Sequence, residues 1–338
     1  MSVEVITMSA VTPRPSFAHT VIIPFGGGNR SAIACNVQRG RARHASFPKI
    51  ARSMRSAMNS HPTVAIQGQA ASFHDVAARK YFGDDISTVF CDLPFRLVFD
   101  ALEDGRADYA VCAIENSLHG TINDVYDLLE VRPSTICGEV FLHIEQCLIG
   151  LPGATLADIT EVYSHPVALS QCEEFLDTSL AHAARFERDD TAGSVADVAA
   201  AGDKHKAAIA SAAAAKLHGM EVLQRGIETN HHNFTRFVVL TREQSSPDDS
   251  NKTSIVIEAP NEPGSLHKAL GAFAARDLNL TLLTSRPIVG KPQSYMFYMD
   301  FAGGLPEPRT QEAIADLRDM GCAVTVLGSY KAATMPEF

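Results

Sequence analysis

Several signatures of well-defined protein classes are missing from this sequence. No run of about 18 consecutive apolar residues occurs, so no membrane-spanning helix is expected. The seven cysteines, at positions 35, 91, 112, 137, 147, 172 and 322, include no C-x-x-C pair, which argues against a disulfide framework or a zinc site. There is no phosphate-cradling glycine loop either: Gly26-Gly27-Gly28 follows no strand of a βαβ unit. His231 and His232 are adjacent, and neighbours in a strand do not easily converge on one ion, so no metal is expected.

Acidic residues are nearly absent from the start of the chain. Residues 1–60 hold eight Lys/Arg and one acid, Glu4, whereas the remainder holds 21 basic and 38 acidic residues, giving +7 and −17. A body that acidic repels a polyphosphate, which excludes nucleic acid as an expected partner. The Arg-rich, Ser-rich, acid-poor extension has the composition of an organelle transit peptide, and without a long apolar segment it is not a secretion signal. A basic tail is the plainer reading. The expected address is the plastid if the extension is a transit peptide and the cytoplasm otherwise.

What is present is a folded, soluble composition: 46% hydrophobic and 20% charged over 338 residues. At roughly 150 residues per domain, that length suggests two domains and an extension. From Thr63 short apolar runs alternate with helical stretches. Strands are expected at 63–66, 87–91, 109–114, 161–164, 185–187, 207–210 and 236–240, with one extended run over 135–151. Helices are expected at 71–82, 95–103, 124–130, 166–177, 193–201 and 210–218. Such alternation implies α/β architecture with parallel sheets, here in two groups with a cleft between them. After a polar linker, residues 253–328 repeat the order βαββαβ, a ferredoxin-like unit.

Ligands of α/β sheets sit beyond the carboxyl ends of strands, so those positions carry the candidates. Ser72 opens a helix after Gln67-Gly68, and is either a cap or part of a carboxylate cradle. Glu115-Asn116-Ser117, Gly120-Thr121 and Asn123-Asp124 crowd one strand end, as a turn network or a ligand shelf. Ser164-His165-Pro166 ends another strand; a lone histidine there is more often structural. Asp190-Thr191-Ala192 precedes an Ala-rich helix, with Thr191 as a candidate cap. In Asn233-Phe234-Thr235-Arg236-Phe237, Thr235 and Arg236 must point to opposite sheet faces, one to the cleft and one bracing the sheet.

Taken in order, these segments resemble the prephenate dehydratase family. The carriers are Gln67-Gly68-x-x-x-Ser72-Phe73, then Glu115-Asn116-Ser117-x-x-Gly120 running to Asp127-Leu128-Leu129, then Ser164-His165-Pro166-x-Ala168-Leu169-x-Gln171-Cys172. Asp190-Thr191-Ala192 and Thr235-Arg236-Phe237 complete the set. Ala70-Ala71 depart from the commoner glycine-threonine form. The C-terminal unit resembles an ACT domain, through Glu262-Pro263-Gly264-Ser265-Leu266 and through Thr284-Ser285-Arg286-Pro287, where Thr284 stands in place of the family's Glu.

The resemblance implies a two-lobed, periplasmic-binding-protein-like catalytic domain over 61–243, a linker over 244–251 and a ferredoxin-like ACT domain over 252–331. It implies decarboxylative dehydration of prephenate to phenylpyruvate without a cofactor, or of arogenate directly to phenylalanine. Thr235 is then placed at the leaving hydroxyl, with Ser72, Asn116, Ser117, Thr121, Thr191 and Arg236 as substrate-binding residues, although bracing is favoured for Arg236. Phenylalanine is the implied regulator, at Gly264, Ser265, Leu266, Asn279, Leu280, Thr284, Ser285, Arg286 and Pro287, with the loop and Asn279-Leu280 coming from neighbouring copies of a homodimer or homotetramer. The reading of another class is a non-catalytic small-molecule-binding protein, since two α/β lobes around a cleft are common to both.

Overall fold

The computed structural model describes residues 61–244, 246–288 and 290–336, so the transit-peptide expectation and Cys35 lie outside the described residues. The first lobe is built from β1 (Thr63–Gln67), α1 (Phe73–Phe82), β2 (Ser87–Cys91), α2 (Arg96–Glu103), β3 (Tyr109–Asn116), β4 (Gly120–Thr121), α3 (Asn123–Val131) and β5 (Thr135–His143). The second holds β6 (Cys147–Gly150), β7 (Glu161–Ser164), α4 (Pro166–Gln171), α5 (Glu173–Ser179), β8 (Ala184–Glu187), α6 (Thr191–Ala201), β9 (Lys206–Ala210), α7 (Ala212–Leu217) and β10 (Glu221–Arg225). The chain then returns to the first lobe as β11 (Phe234–Thr241).

The two sheets run β2-β1-β3-β11-β5, with β4 paired to β3, and β10-β6-β9-β7-β8. They are mixed, which corrects the all-parallel expectation. Strands β1, β2 and β3 pair in parallel, as do β7, β8 and β9. The returning β11 is antiparallel to both of its neighbours, and β6 is antiparallel to β9 and β10. A strand that enters a lobe from the crossing end has to run against those launched from the opposite end.

The run read as one strand over 135–151 is two. Residues 144–146 form a crossing between β5 and β6, held against the return crossing by Ile144 N–H to Asn233 O at 2.8 Å and Ile227 N–H to Gln146 O at 3.1 Å. The buried Glu228 carboxylate accepts from Gln146 N–H at 2.8 Å. Likewise, the helix expected over 166–177 is broken at Cys172 into α4 and α5.

Strand β11 is buried along its whole length, and its two faces pack differently. Phe237 and Val239 pack with Ala77 and Ala78 of α1, while Val238 and Leu240 pack with Phe99 of α2 and Tyr126 of α3. The linker leads to β12 (Lys252–Glu258), α8 (Ser265–Ala274), β13 (Leu280–Pro287), β14 (Tyr295–Ala302), α9 (Pro308–Asp319) and β15 (Ala323–Tyr330), an antiparallel sheet of order β13-β14-β12-β15.

That sheet is covered on both faces. Ile255, Ile257, Met299 and Phe301 pack against α8 and α9. Val256, Tyr298, Leu327 and Tyr330 instead join the core made by Tyr126, Leu129 and Ile136 of the first lobe. The approach is close at Gly328 of β15, where an added Cβ would meet Ile136 O at 2.0 Å; only a residue without a side chain allows the two backbones this contact.

Candidate active site

A cleft of about 770 Å³ lies between the lobes, lined by Ser72, Phe73 and His74 at the start of α1, Asn116 at the end of β3, and Thr235 and Phe237 of β11 on one side. His165, Gln171, Asp189, Asp190 and Thr191 line it from the second lobe, and Ile144 and Gln146 from the crossing. Strand ends and helix starts converge here because the parallel strands of both lobes aim their carboxyl ends at the same gap.

Two helices start at the cleft. At α1, Ser72 Oγ accepts from Asp75 N–H at 3.4 Å while the Asp75 carboxylate accepts from Ala71 N–H at 2.8 Å. Gly68, at φ +90, turns the chain from β1 into this cap. At α6 the cap is Asp190, which accepts from Gly193 N–H at 3.0 Å; Thr191, expected as a possible cap, is the first helical residue instead. The start of α1 carries partial positive charge suited to a carboxylate, whereas that of α6 is already met by the Asp190 carboxylate.

The centre of the site is a fixed amide. Asn116 Oδ1 accepts from Leu118 and His119 N–H, each at 3.0 Å, which settles the orientation of the side chain. Its Nδ2 then donates to Asn233 Oδ1 at 2.8 Å and to Thr235 Oγ1 at 3.0 Å. A hydroxyl oxygen that already accepts keeps its own proton for another partner, and the side chain lines the cleft. Gln146 Nε2 donates to Gln171 Oε1 at 3.0 Å, and His119 Nδ1 lies 3.3 Å from both Gln171 Nε2 and Asn116 Oδ1. His119 Nδ1 can accept from the Gln171 amide or donate to Asn116 Oδ1, one at a time, so this ring stands between the second lobe and the Asn116–Thr235 pair.

His74 forms part of the cleft wall. Burial lowers its pKa from 6.5 to about 4, so the ring is neutral at physiological pH. Ala113 N–H donates to Nε2 at 3.2 Å, placing the ring proton on Nδ1, and the ring meets Phe237 edge-on at 5.1 Å. Sequence reasoning gave His74, His119 and Gln146 no role. His74 carries no distinguishing spacing, and Gln146 sits in a stretch that reads as plain strand.

Three expected substrate-binding residues are not brought to the cleft. For Arg236, named both as a substrate-binding candidate and as a brace, the structure corrects the first: adjacent residues of a strand face opposite ways, and its guanidinium is buried behind the sheet. There it pairs with Glu139 Oε2 of β5 at 2.7 Å and Asp300 Oδ2 of β14 at 2.5 Å, and donates to Tyr330 Oη of β15 at 3.0 Å. Lys252 Nζ adds a pair to Glu139 at 2.8 Å, so two cations face two anions. Burial opposes the Arg236 charge, but Asp300, Tyr330 and Glu139 outweigh it and hold the group well above its ordinary pKa.

Ser117 Oγ donates to His232 O at 2.7 Å and accepts from Phe234 N–H at 2.9 Å, stitching β3 to the start of β11. Thr121 Oγ1 donates to Asn123 Oδ1 at 3.2 Å, on β4 and outside the cleft lining. The residues brought together are Ser72, Asn116, Thr191 and Thr235.

Among the described residues no cluster of His, Cys, Asp or Glu is arranged to hold a metal, and the six described cysteines are free. No helix among them is long and apolar enough to cross a membrane.

Comparison with known proteins bears directly on this geometry. Residues 64–245 match the family model described as prephenate dehydratase, and 253–319 match the ACT domain model. The chain belongs to the prephenate dehydratase family, a family of hydro-lyases.

Arogenate dehydratase/prephenate dehydratase 6, chloroplastic, of Arabidopsis thaliana is 40% identical over 283 residues, 79% of this chain and 68% of that protein. The chain spans about two thirds of the length of the first plant relatives it matches. A Komagataeibacter europaeus protein named bifunctional N-acyl-homoserine lactone acylase/prephenate dehydratase is 36% identical over 81% of this chain and 98% of its own. The crystal structure of prephenate dehydratase from Arthrobacter aurescens in complex with L-Phe superposes with a TM-score of 0.72 at 29% identity, covering 80% of this chain and 89% of that one. The two-lobed catalytic fold with a C-terminal ACT domain is thus shared with this family.

On the ACT side, Gly264 adopts a left-handed conformation, at φ +82, and Ser265 begins α8. Ala302 N–H donates to Asn279 O at 2.8 Å, at the end of the sheet where Lys252 pairs with Ala302. The 263–266 loop follows the other end of β12, so within one chain the loop and Asn279-Leu280 lie at opposite ends. Thr284, Ser285, Arg286 and Pro287 are on the edge strand β13. Arg286 forms a two-pronged pair with Asp127 of α3, at 3.0 and 2.7 Å.

Proposed function

We propose that this chain catalyses the decarboxylative dehydration of prephenate to phenylpyruvate, or of its amino counterpart arogenate to phenylalanine. The observation that carries the reading is the Asn116–Thr235 bond inside a cleft with two helix starts. The ring becomes aromatic as it loses carbon dioxide and hydroxide, so the elimination supplies its own driving force and needs no cofactor. What remains is to hold two carboxylates and to assist the leaving hydroxyl.

In this reading the N-terminus of α1 with Ser72 takes one carboxylate, and the Thr191 hydroxyl helps to hold the other. Thr235, its oxygen engaged by Asn116, directs its proton to the departing oxygen and is replenished from solvent. The neutral His74–Phe237 wall keeps the reacting end dry, where a carboxylate about to leave as carbon dioxide is poorly solvated. The test is turnover of each substrate by the full chain and by Thr235→Ala: product from at least one, lost in the variant, upholds the reading, and activity on neither refutes it.

A second reading rests on the Komagataeibacter relative's double name and on the apolar wall of Phe73, Phe95, Ile144 and Phe237, which suits an acyl chain. Release of a free fatty acid from an N-acyl-homoserine lactone by this chain is its test.

Phenylalanine is the proposed regulator, bound between Gly264, Ser265 and Leu266 of one copy and Asn279 and Leu280 of another. The separation of these groups within one chain supports a homodimer or homotetramer. Sedimentation with and without phenylalanine, alongside inhibition of turnover, tests both points. The plastid address is proposed on the composition of 1–60 and on the chloroplastic plant relatives. Import of a fluorescent protein carrying this segment into isolated chloroplasts tests it.

A further inference from the structure

We propose that Ser211, a second-lobe residue outside the cleft lining, is a positioning residue that sets the spacing between the two carboxylate-holding groups. The inference rests on the dehydratase reading above, in which Ser72 of the first lobe and Thr191 of the second hold the two carboxylates. Segments that cross between lobes can absorb a change of angle. A fixed spacing across the cleft therefore needs a tie of its own.

The tie is the turn before α1. Residues 68–71 belong to the first lobe by sequence, yet Ala71 is 7% exposed and packs in the second lobe's core with Ala192 and Val195 of α6, Ala210 of β9 and Ala214 of α7. Its carbonyl accepts from Ser211 Oγ at 2.8 Å, across the lobes, while its N–H donates to Asp75 of its own lobe, also at 2.8 Å. The turn also lies against the start of α6, since a Cβ added at Gly193 would meet Gln69 Nε2 at 3.0 Å. Ser72 follows Ala71 directly and Thr191 opens α6, so the contact fixes one holder relative to the other.

Ala71 does not keep this shape by itself. Its φ is +63, a left-handed conformation that is costly for a residue with a Cβ. Ser211 is buried, and its hydroxyl is fully used. The single hydrogen goes to Ala71 O, and the oxygen accepts from Ala214 N–H at 3.2 Å as the cap of α7. Without that hydrogen the Ala71 carbonyl is left unmatched in a buried turn, and the strained residue loses its outside support. Ser72 then drifts relative to Thr191.

The reacting group is untouched by this loss. Asn116 and Thr235 are brought together by the pairing of β3 with β11 inside the first lobe. Losing the tie should therefore weaken the hold on substrate more than the chemical step.

The experiment is steady-state kinetics of the full chain and its Ser211→Gly, Ser211→Cys and Ser211→Thr variants on whichever substrate the wild type turns over. Glycine is a fair helix cap, so Ser211→Gly removes the donor at little cost to α7. It is expected to raise KM ~10-fold, the worth of one buried hydrogen bond, with kcat held within about twofold. Ser211→Cys, nearly isosteric but a weak donor, should raise KM by a smaller factor, and it serves where the glycine variant does not fold. Ser211→Thr keeps the hydroxyl and should stay within about threefold of the wild-type KM. Hydrogen exchange in Ser211→Gly should quicken at Ala71 and Ser72 and stay unchanged along β11.

A wild-type KM in both Ser211→Gly and Ser211→Cys overturns the inference while leaving the dehydratase reading intact. So does a loss that falls on kcat rather than KM, or a Ser211→Thr variant as impaired as Ser211→Gly. Exchange that quickens along β11 as well makes the bond a general brace and overturns it too. Turnover of neither substrate by the wild type sinks both readings together.

Discussion

Asn116 Nδ2 donates to Thr235 Oγ1 at 3.0 Å, across the pairing of β3 with β11, while two backbone N–H groups hold the other end of the same amide. The threonine hydroxyl is thereby aimed without any charged neighbour. A weak acid becomes useful when its geometry is fixed in advance, because no reorganisation is left for the reaction to drive.

Removing either member should therefore act on the chemical step. Thr235→Ala is expected to lower kcat by ~10²-fold or more, and Asn116→Ala by ~10-fold or more, with KM changing less in each. Steady-state kinetics on the preferred substrate check this; a KM effect larger than the kcat effect in Thr235→Ala would assign it to binding instead.

His74 makes stability depend on pH. Its folded pKa, about 4, lies below the unfolded value of 6.5, so the unfolded chain takes up the proton first on acidification. The contribution is fully present above pH 6.5 and is lost as pH falls from there towards 4. The gap corresponds to about 3 kcal/mol. Denaturant melts of wild type and His74→Gln between pH 7.5 and 4.5 should show a shallower acid loss in the variant; parallel curves would refute the assignment.

The four charges behind β11 should behave as a unit. Arg236→Met leaves Glu139 and Asp300 buried with only Lys252 to balance them, at an expected cost of about 3–5 kcal/mol. Asp300→Asn, on the C-terminal domain, should destabilise the first lobe as well. Hydrogen exchange along β11 reads that transfer, and protection there unchanged in Asp300→Asn would show the cluster to be local.

Gly328→Ala tests the seat of the ACT sheet on β5. With Ile136 O where the methyl group would go, the backbones must part, at an expected cost of roughly 1–3 kcal/mol. A lowered melting temperature with earlier proteolysis near residues 246–251 is expected.

Much of this was legible in the sequence because strands and helices here alternate with little ambiguity, and because opposed faces follow from strand geometry alone: Thr235 inward, Arg236 outward. What was not legible depends on partners remote in the chain. Ile144-Glu145-Gln146 contains neither Gly nor Pro, so nothing local says that β5 and β6 belong to different sheets. The antiparallel sense of β11 follows from the crossing and not from its own residues. Cys172 breaks α4 from α5 without being a helix breaker, and its backbone N–H bonds back to both Ala168 and Leu169. His74 reads as one more residue of an amphipathic helix until Ala113 and Phe237 are seen around it.

The return of the chain as β11 has a consequence for biogenesis. The first lobe begins at β1, yet its inner strand β11 is made only after every element of the second lobe has been synthesised. Until then β3 and β5 have an empty slot between them, and Asn116 has no threonine to hold. The same docking event that fills the sheet delivers Thr235, so a nascent or partly unfolded chain has no half-competent site: architecture and chemistry are completed in one step.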